Sequence, residues 1–216
     1  MKKIVVIVPV LVVSCIYAYM YHFRQIQHAS NKRLVALVVS VLLFYAWAAI
    51  GIIRRKQDSF FNIILQSGFY VYIFSVLTLT GYFVLFNQVS AHGWWQKILH
   101  RVNLRDGVNL EPFLFMKGMH LLNYEVVGNF IMLLPLGIFL PLLYNNIRNF
   151  FTVTFAAMLV SVSIELMQLA TSYRITDIDD VILNTAGAAL GFIIYSIAYP
   201  FLIKPLHTSQ ERRMYN

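Results

Sequence analysis

Long apolar runs constrain this chain more than any other feature of its sequence. Several of them reach the ~20 residues that a helix needs to cross a bilayer. A spanning segment has no water to bond, so it must form helices or a closed barrel. The runs are continuous rather than alternating in polarity, which favours helices. The chain is 59% hydrophobic and only 12% charged, against roughly 25% charged residues in soluble domains. The sequence therefore predicts an all-α, polytopic integral membrane helix bundle.

About six transmembrane helices are predicted, together with one helix on the membrane surface. Trp94, Ile98 and Val102 recur at helical spacing, whereas Lys97 and Arg101 take the other positions. That pattern is typical of an amphipathic interfacial helix with solvated charges. The predicted spans are residues 4–21, 34–53, 60–86, 126–144, 150–171 and 181–203.

Proline and glycine interrupt the fourth predicted span at Pro135, Gly137 and Pro141. Proline removes a backbone hydrogen bond and kinks a helix. Inside a membrane the freed backbone groups need protein partners or water. We therefore expect this helix to be buried in the bundle rather than surrounded by lipid.

The charges and the single cysteine narrow the possible partners. The formal net charge is +8, but the basic residues lie between apolar runs, where they contact lipid headgroups rather than nucleic acid. Cys15 is the only cysteine, so an internal disulfide and a cysteine-rich metal site are excluded.

The residues before Cys15 loosely fit a lipoprotein cleavage box, but the apolar run continues to Tyr21. We expect the first span to be a retained helix.

An even number of spans places both termini on one side of the membrane. Lys and Arg are almost evenly divided between the two sets of loops. Lys2 and Lys3, together with the basic residues 54–56, favour a cytoplasmic N-terminus under the positive-inside rule. The acidic loop between the last two spans then faces outward.

Residues 161–191 place a cluster of polar side chains within and between the last two spans. Ionisable groups in a membrane are costly and indicate a functional site by default. The candidate binding residues are Glu165, Gln168, Arg174, Asp177, Asp179, Asp180 and Asn184, with Asn129 from the fourth span.

Helical spacing arranges this cluster into two stripes. Ser161, Glu165 and Gln168 share one face of the fifth span, and Asp177, Asp180 and Asn184 share one face of the sixth. A short loop makes the two spans antiparallel, so Glu165 and Asn184 are expected to face each other roughly 10 Å inside the helix ends. Thr176 and Asp179 have the form of an N-terminal capping box.

Three interpretations of the cluster stay open. The polar groups can bond one another across the helices and serve only the fold. They can instead bind a polar headgroup, phosphate or sugar at the membrane surface. The carboxylates also offer hard oxygen ligands for Mg²⁺ or Ca²⁺ in a hydrolytic site. Their spacing is not diagnostic, so the sequence identifies no particular metal and predicts no cofactor.

The last half of the chain resembles the VanZ-like family. The resemblance rests on Asn109-Leu110-Glu111-Pro112-Phe113, on an Asn leading to Pro-x-Gly, on Ile-Glu-x-x-Gln, and on a long final block. The residues that match are Asn129, Pro135, Gly137, Ile164, Glu165, Gln168, Arg174, Asp177, Asp179, Asp180, Asn184, Thr185, Gly187 and Gly191. A charged residue at position 111 departs from the family's usual apolar residue.

The resemblance divides the chain into four regions. These are an N-terminal three-helix transmembrane region (1–86), an amphipathic surface connection (87–125), a VanZ-like region (109–203) that overlaps it, and a polar tail (204–216). The match leaves the first three helices unexplained.

The resemblance implies a multi-pass protein of the bacterial plasma membrane that contributes to resistance against the glycopeptide teicoplanin. It supplies no catalytic residues, so we expect a non-enzymatic protein that binds or shields an envelope lipid or the antibiotic. The expected partners are membrane lipids, a lipid-linked envelope precursor or a glycopeptide, and no nucleic acid. The alternatives are a membrane-embedded metal-dependent enzyme acting on a lipid-linked envelope precursor, and a transporter or flippase.

Overall fold

The computed structural model describes residues 2–22, 31–54, 60–83, 94–104, 108–113, 123–170 and 175–203. Eight α-helices and one two-residue parallel strand pair occur within these residues. In chain order they are α1 (Lys2–His22), α2 (Asn31–Arg54), α3 (Phe60–Leu79), α4 (Trp94–Leu104), β1 (Val108–Asn109), α5 (Tyr124–Met132), α6 (Leu134–Leu143), α7 (Phe150–Leu169), β2 (Thr176–Asp177) and α8 (Ile178–Ala198), followed by a π-helical turn (Tyr199–Ile203).

The predicted all-α membrane bundle is confirmed. Within the described residues, four stretches are long and apolar enough to cross a membrane: Phe60–Leu79, Tyr124–Leu143, Phe150–Leu169 and Ile178–Phe201. Two shorter apolar stretches, Val5–Tyr17 and Val38–Arg54, lie in α1 and α2. A total of six spans therefore stays a prediction.

Two predicted spans differ from the helices observed. The third was expected to run to Phe86, but α3 ends at Leu79 because Gly81 adopts a φ of 82°, a left-handed conformation that stops a helix. The fourth is two helices, α5 and α6, which meet at Leu133. Pro135, near the start of α6, has no backbone N–H to continue the α5 hydrogen bonds.

The chain forms two compact units. The first comprises residues 1–107 and 167–174, and the second comprises residues 108–166 and 175–216. The first unit is built on aromatic packing around Phe74. Its ring centroid lies 5.4 Å from that of Phe44, 5.2 Å from that of Phe83 and 5.9 Å from that of Tyr17, and such spacing is favourable for aromatic pairs.

Helix α1 is an integral part of this first unit. Val6 and Val10 are fully buried. The Ser67 hydroxyl of α3 donates to the Val6 carbonyl at 3.0 Å, and the Tyr45 hydroxyl of α2 donates to Ser14 Oγ at 2.7 Å. Burial and interhelical hydrogen bonds of this kind are typical of a permanent bundle member.

Helix α4 contacts the C-terminal end of α7 inside the first unit. The Trp94 indole N–H donates to the Ala170 carbonyl at 3.0 Å, and Arg101 Nη1 donates to the Leu169 carbonyl at 3.0 Å. The last carbonyls of a helix lack intrahelical partners and favour cations. The amphipathic helix is thus present, but Arg101 bonds protein rather than being only solvated as expected.

In the second unit, α8 packs closely against α5 and α6. A Cβ added to Gly187 would overlap the Phe130 carbonyl oxygen, and one added to Gly191 would overlap the Leu134 carbonyl oxygen. The paired positions increase together, so α8 runs parallel to α5 and α6. Small residues permit this backbone contact between membrane helices. Leu136, Gly137, Leu140 and Pro141 of α6 are buried, whereas no residue of α5 is, so the burial expected of the fourth span is found only in its second half.

Replacing Gly187 with alanine is expected to destabilise the protein by about 1–3 kcal/mol, because the new methyl group displaces the backbone of α5. Gly128 provides a matched control, since a Cβ there meets no atom within 4 Å. Thermal unfolding of the two purified variants in detergent measures the difference. Equal midpoints for Gly187→Ala and Gly128→Ala would contradict the observed packing.

The packing of α1 predicts that this helix stays in the mature protein. The expected result is an intact mass of the membrane-extracted protein that includes Lys2–His22. A mass that begins at Cys15 with an attached lipid would instead indicate lipoprotein processing. Ser67→Leu tests the contact between α3 and α1, because it removes the hydroxyl that donates to the Val6 carbonyl and leaves the sequence of α1 unchanged.

Candidate functional site

The acidic end of the second unit begins with a short parallel strand pair. Val108 pairs with Thr176, and Asn109 pairs with Asp177. Glu165 of α7 supports the second strand: its Oε2 accepts the Asp177 backbone N–H at 2.9 Å, and its carbonyl accepts the Thr176 hydroxyl at 3.3 Å. The Glu165 side chain is only 4% exposed. A carboxylate buried in this way holds the start of α8 against the end of α7 with a charge-assisted hydrogen bond.

Asp177 caps the N-terminus of α8. One carboxylate oxygen accepts the Asp179 N–H at 2.9 Å, and the other accepts the Asn109 side-chain amide at 2.9 Å. The predicted capping box of Thr176 and Asp179 is therefore wrong by one position, because the helix begins after Asp177. An aspartate is among the preferred residues at an N-cap, where its oxygen satisfies a free backbone donor.

Asp179 holds the loop that follows β1. Its Oδ1 accepts the backbone N–H of Phe113 at 2.6 Å, and its side chain is 4% exposed. Phe113 has a φ of 62°, a left-handed conformation that costs a residue with a Cβ roughly 1–2 kcal/mol. A hydrogen bond to a charged group contributes about 1.5–3 kcal/mol, so the Asp179 bond is strong enough to offset this strain.

Asp180 connects α8 to α5. The Asn129 side-chain amide donates to Asp180 Oδ1. The three aspartates thus accept donors from two other segments: Asn109 and Phe113 in the stretch 108–113, and Asn129 in α5. Their position in the first turn of α8 also suits anions, because the helix dipole places partial positive charge there.

Asn184 and Ser161 form a separate pair deeper in the second unit. Asn184 Nδ2 donates to Ser161 Oγ at 3.0 Å, and both side chains are fully buried. Glu165 and Asn184 were expected to face each other, but the bonds observed join Asn184 to Ser161 and Glu165 to the Asp177 backbone. The reason is that Glu165 lies one helical turn after Ser161 on α7. At that position it meets the backbone N–H of Asp177, just before α8 begins, rather than Asn184 within α8. Asn184 Oδ1 is buried and accepts no hydrogen bond from the part of the chain described.

The two remaining candidates are Gln168 and Arg174. Gln168 is buried one turn further along α7, within the first unit. Arg174 lies outside the described residues, as does the polar tail. The structure therefore joins Glu165, Asp177, Asp179, Asp180 and Asn129, and it pairs Asn184 with Ser161.

The carboxylates do not converge as a metal site would require. Among the residues that have described positions, no group of three or more His, Cys, Asp or Glu side chains is placed to hold a metal ion. The carboxylates instead point to separate segments. Their arrangement can hold backbone geometry, and the half-buried Asp177 and Asp180 can accept further donors from outside.

Asn109 and Phe113 were not among the site residues predicted from the sequence. Asn109 bonds Asp177 through its Nδ2, and its Oδ1 accepts the Glu111 N–H at 3.1 Å. The Asn-Leu-Glu-Pro-Phe motif contained the signal, since its two ends are the positions that meet the acidic residues. A backbone donor such as that of Phe113 has no signature in residue type, because every residue except proline has one.

Comparison with known proteins identifies the family of the chain. The family model described as VanZ/LLP1 matches residues 69–199 of the chain. The chain belongs to the VanZ/LLP1 family. The match begins inside α3, so the family extends further towards the N-terminus than the resemblance from residue 109 indicated. One relative of this VanZ-like membrane protein is Protein VanZ from Enterococcus faecium, which is 29% identical over 129 residues, or 59% of this chain and 71% of the relative. No solved structure matches the chain.

The left-handed conformation at Phe113 predicts an unusual order of stability. Phe113→Gly should be more stable than Phe113→Ala by about 1 kcal/mol, because glycine adopts this conformation without steric cost. The measurement is thermal or denaturant unfolding of both variants in the same detergent.

Leu110 provides the matched control for this comparison. Phe113 is the one non-glycine residue with a positive φ in the described ranges. At Leu110 alanine should therefore be as stable as glycine or more so, since glycine loses more backbone entropy on folding. The same order at both positions would contradict the conformation of Phe113.

Proposed function

We propose that this chain is a multi-pass protein of the bacterial plasma membrane that lowers susceptibility to teicoplanin. It does so by binding or shielding an envelope lipid, or the antibiotic itself, at the acidic end of its second unit. Membership of the VanZ/LLP1 family supports the cellular context. The observation that carries the binding step is the group of carboxylates at the start of α8, two of which are half-buried rather than enclosed.

The chemistry of this acidic end favours some ligand groups over others. Asp177 and Asp180 are hydrogen-bond acceptors when ionised. They attract hydroxyl, amide and ammonium groups and repel phosphate, unless Arg174 neutralises them. The sugar or amine portion of an envelope lipid, a lipid-linked precursor or a glycopeptide is therefore the best match. The buried Glu165 holds the backbone of the half-buried Asp177, and the Asn129 amide holds the half-buried Asp180.

Teicoplanin susceptibility of cells that express the protein tests this proposal. The variants are Glu165→Gln, Asp180→Asn and Arg174→Lys. The abundance of each variant in the membrane is compared with that of the unsubstituted protein. We expect Asp180→Asn to lose most of the protection at near-normal abundance, because it removes the half-buried charge while keeping an acceptor for Asn129. Glu165→Gln is expected to lose protein as well, since it weakens the bond to Asp177 by about 1.5–3 kcal/mol.

Glu125→Gln is the matched control. Glu125 is an exposed acid in the first turn of α5, so it changes the net charge equally without touching the bonds described above. If all three site variants lose protection only in proportion to lost protein, the acidic residues serve the fold and the binding proposal fails. Loss of protection in Glu125→Gln would point to general surface charge instead.

A flippase or transporter is a second candidate, favoured by one observation. The membrane-length stretch Tyr124–Leu143 is divided at Leu133 into two helices, and broken helices are common at transporter binding sites. Purified protein in liposomes that contain a fluorescent lipid distinguishes the two. Lipid movement between leaflets that Asp180→Asn abolishes would favour transport over binding.

A further inference from the structure

The loop Val108–Phe113 presents apolar side chains outward beside the acidic end. Leu110 is 66% exposed and Phe113 is 50% exposed, and Pro112 between them is also exposed. The strand pairing of Val108 and Asn109, the Asn109 side chain and the Phe113 backbone N–H hold the loop against the acidic end, and none of these contacts uses the side chains of Leu110, Pro112 or Phe113. A chain that holds a phenylalanine outward at an energetic cost has a reason to place the ring there.

The two membrane-length stretches beside the loop indicate its depth in the bilayer. Two membrane-length stretches of the second unit, Tyr124–Leu143 and Ile178–Phe201, run parallel and begin at this end. The Asn129–Asp180 bond lies within the first turns of both. The loop is bonded to Asp177 and Asp179, at the start of the second of these stretches. It therefore lies where the hydrocarbon of the bilayer gives way to headgroups.

The residue types of the loop suit that depth. Leucine and phenylalanine partition into the interfacial region of a bilayer, where apolar side chains reach the boundary between headgroups and acyl chains. Glu111 lies between them and is exposed. A carboxylate is expensive in hydrocarbon, so it limits the loop to headgroup depth and prevents deeper insertion.

We propose that Leu110, Pro112 and Phe113 form an interfacial anchor that inserts into the phospholipid bilayer, and that Asp179 holds this anchor in its left-handed conformation through the Phe113 backbone. The buried aspartate is thus a positioning residue for a lipid contact. The anchor draws the acidic end of the second unit to the surface of the bilayer. This inference does not depend on the proposed binding of an envelope lipid or antibiotic.

Spin-label accessibility of the full chain in phospholipid nanodiscs tests the anchor. Single cysteines replace Leu110 or Phe113 in a Cys15→Ala background, with nanodiscs of phosphatidylethanolamine and phosphatidylglycerol. A label at Phe155, on the exposed apolar face of α7, is the lipid reference, and a label at Asn145, in the turn after α6, is the water reference. Oxygen reports contact with lipid, and a water-soluble nickel chelate reports contact with solvent.

The expected result is a ratio of oxygen to nickel accessibility at positions 110 and 113 that exceeds the ratio at Asn145 several-fold. Leu110→Cys leaves Phe113 and its bond to Asp179 intact, so it decides the question even if Phe113→Cys folds poorly. Ratios equal to that of Asn145 would place the loop in water and overturn the proposal. Labels shielded from both reagents would show a protein partner or a second copy, which overturns it equally.

The positioning role of Asp179 has its own measurement. In the Asp179→Asn variant, the ratio of oxygen to nickel accessibility of the label at position 110 should fall several-fold. The reason is that the neutral amide holds the Phe113 backbone less strongly. Asp180→Asn is the matched control, since it removes a neighbouring charge but not the Phe113 bond. An unchanged ratio in a folded Asp179→Asn protein, judged by the Phe155 label, would show that Asp179 does not position the anchor.

Discussion

The second unit depends on carboxylates that act as acceptors for backbone and amide N–H groups. Glu165 accepts the Asp177 N–H, and Asp177 in turn caps α8 and binds Asn109. Each of these bonds brings together segments far apart in the chain. Charged acceptors are suited to this role because their hydrogen bonds are roughly twice as strong as neutral ones. Without them, the polar ends of α7 and α8 would have no fixed relation to the loop after β1.

Glycine packing supplies the second constraint, deeper in the same unit. Gly187 and Gly191 bring the backbone of α8 against the carbonyls of α5 and α6. Lipid offers no hydrophobic driving force for helix association, so close backbone contact and polar bonds must supply it. The two constraints cooperate, since the contact at Gly187 sets the register that brings Asn129 to Asp180. The result is a close-packed three-helix arrangement with the aspartates at one end and the Asn184–Ser161 pair deeper in the unit.

The structure changes how the polar cluster is best understood. Its residues were expected to form two facing polar stripes, with a structural, a binding and a metal-holding interpretation left open. The bonds show instead that Asp179 and Glu165 are buried and act on the backbone, whereas Asp177 and Asp180 stay partly accessible. The structural role of the buried pair and the binding role that we propose for the accessible pair therefore fall to different members of one motif. Asp179 has a third role at Phe113, because its bond to the Phe113 backbone fixes the residue that carries an exposed aromatic ring.

The sequence by itself determined the class of the protein and most of its candidate site. Apolar runs of sufficient length require membrane helices, since a bilayer leaves backbone groups no other partner. The motif residues from Glu165 to Gly191 also identified the family and the position of the site. The partners of those residues were decided only by the tertiary structure. Asp177 rather than Thr176 caps α8, and Asn184 bonds Ser161 rather than facing Glu165. Helical spacing places side chains on a face, but the depth at which two helices meet depends on packing at Gly187 and Gly191. Backbone donors such as the Phe113 N–H gain their partners only when distant segments come together.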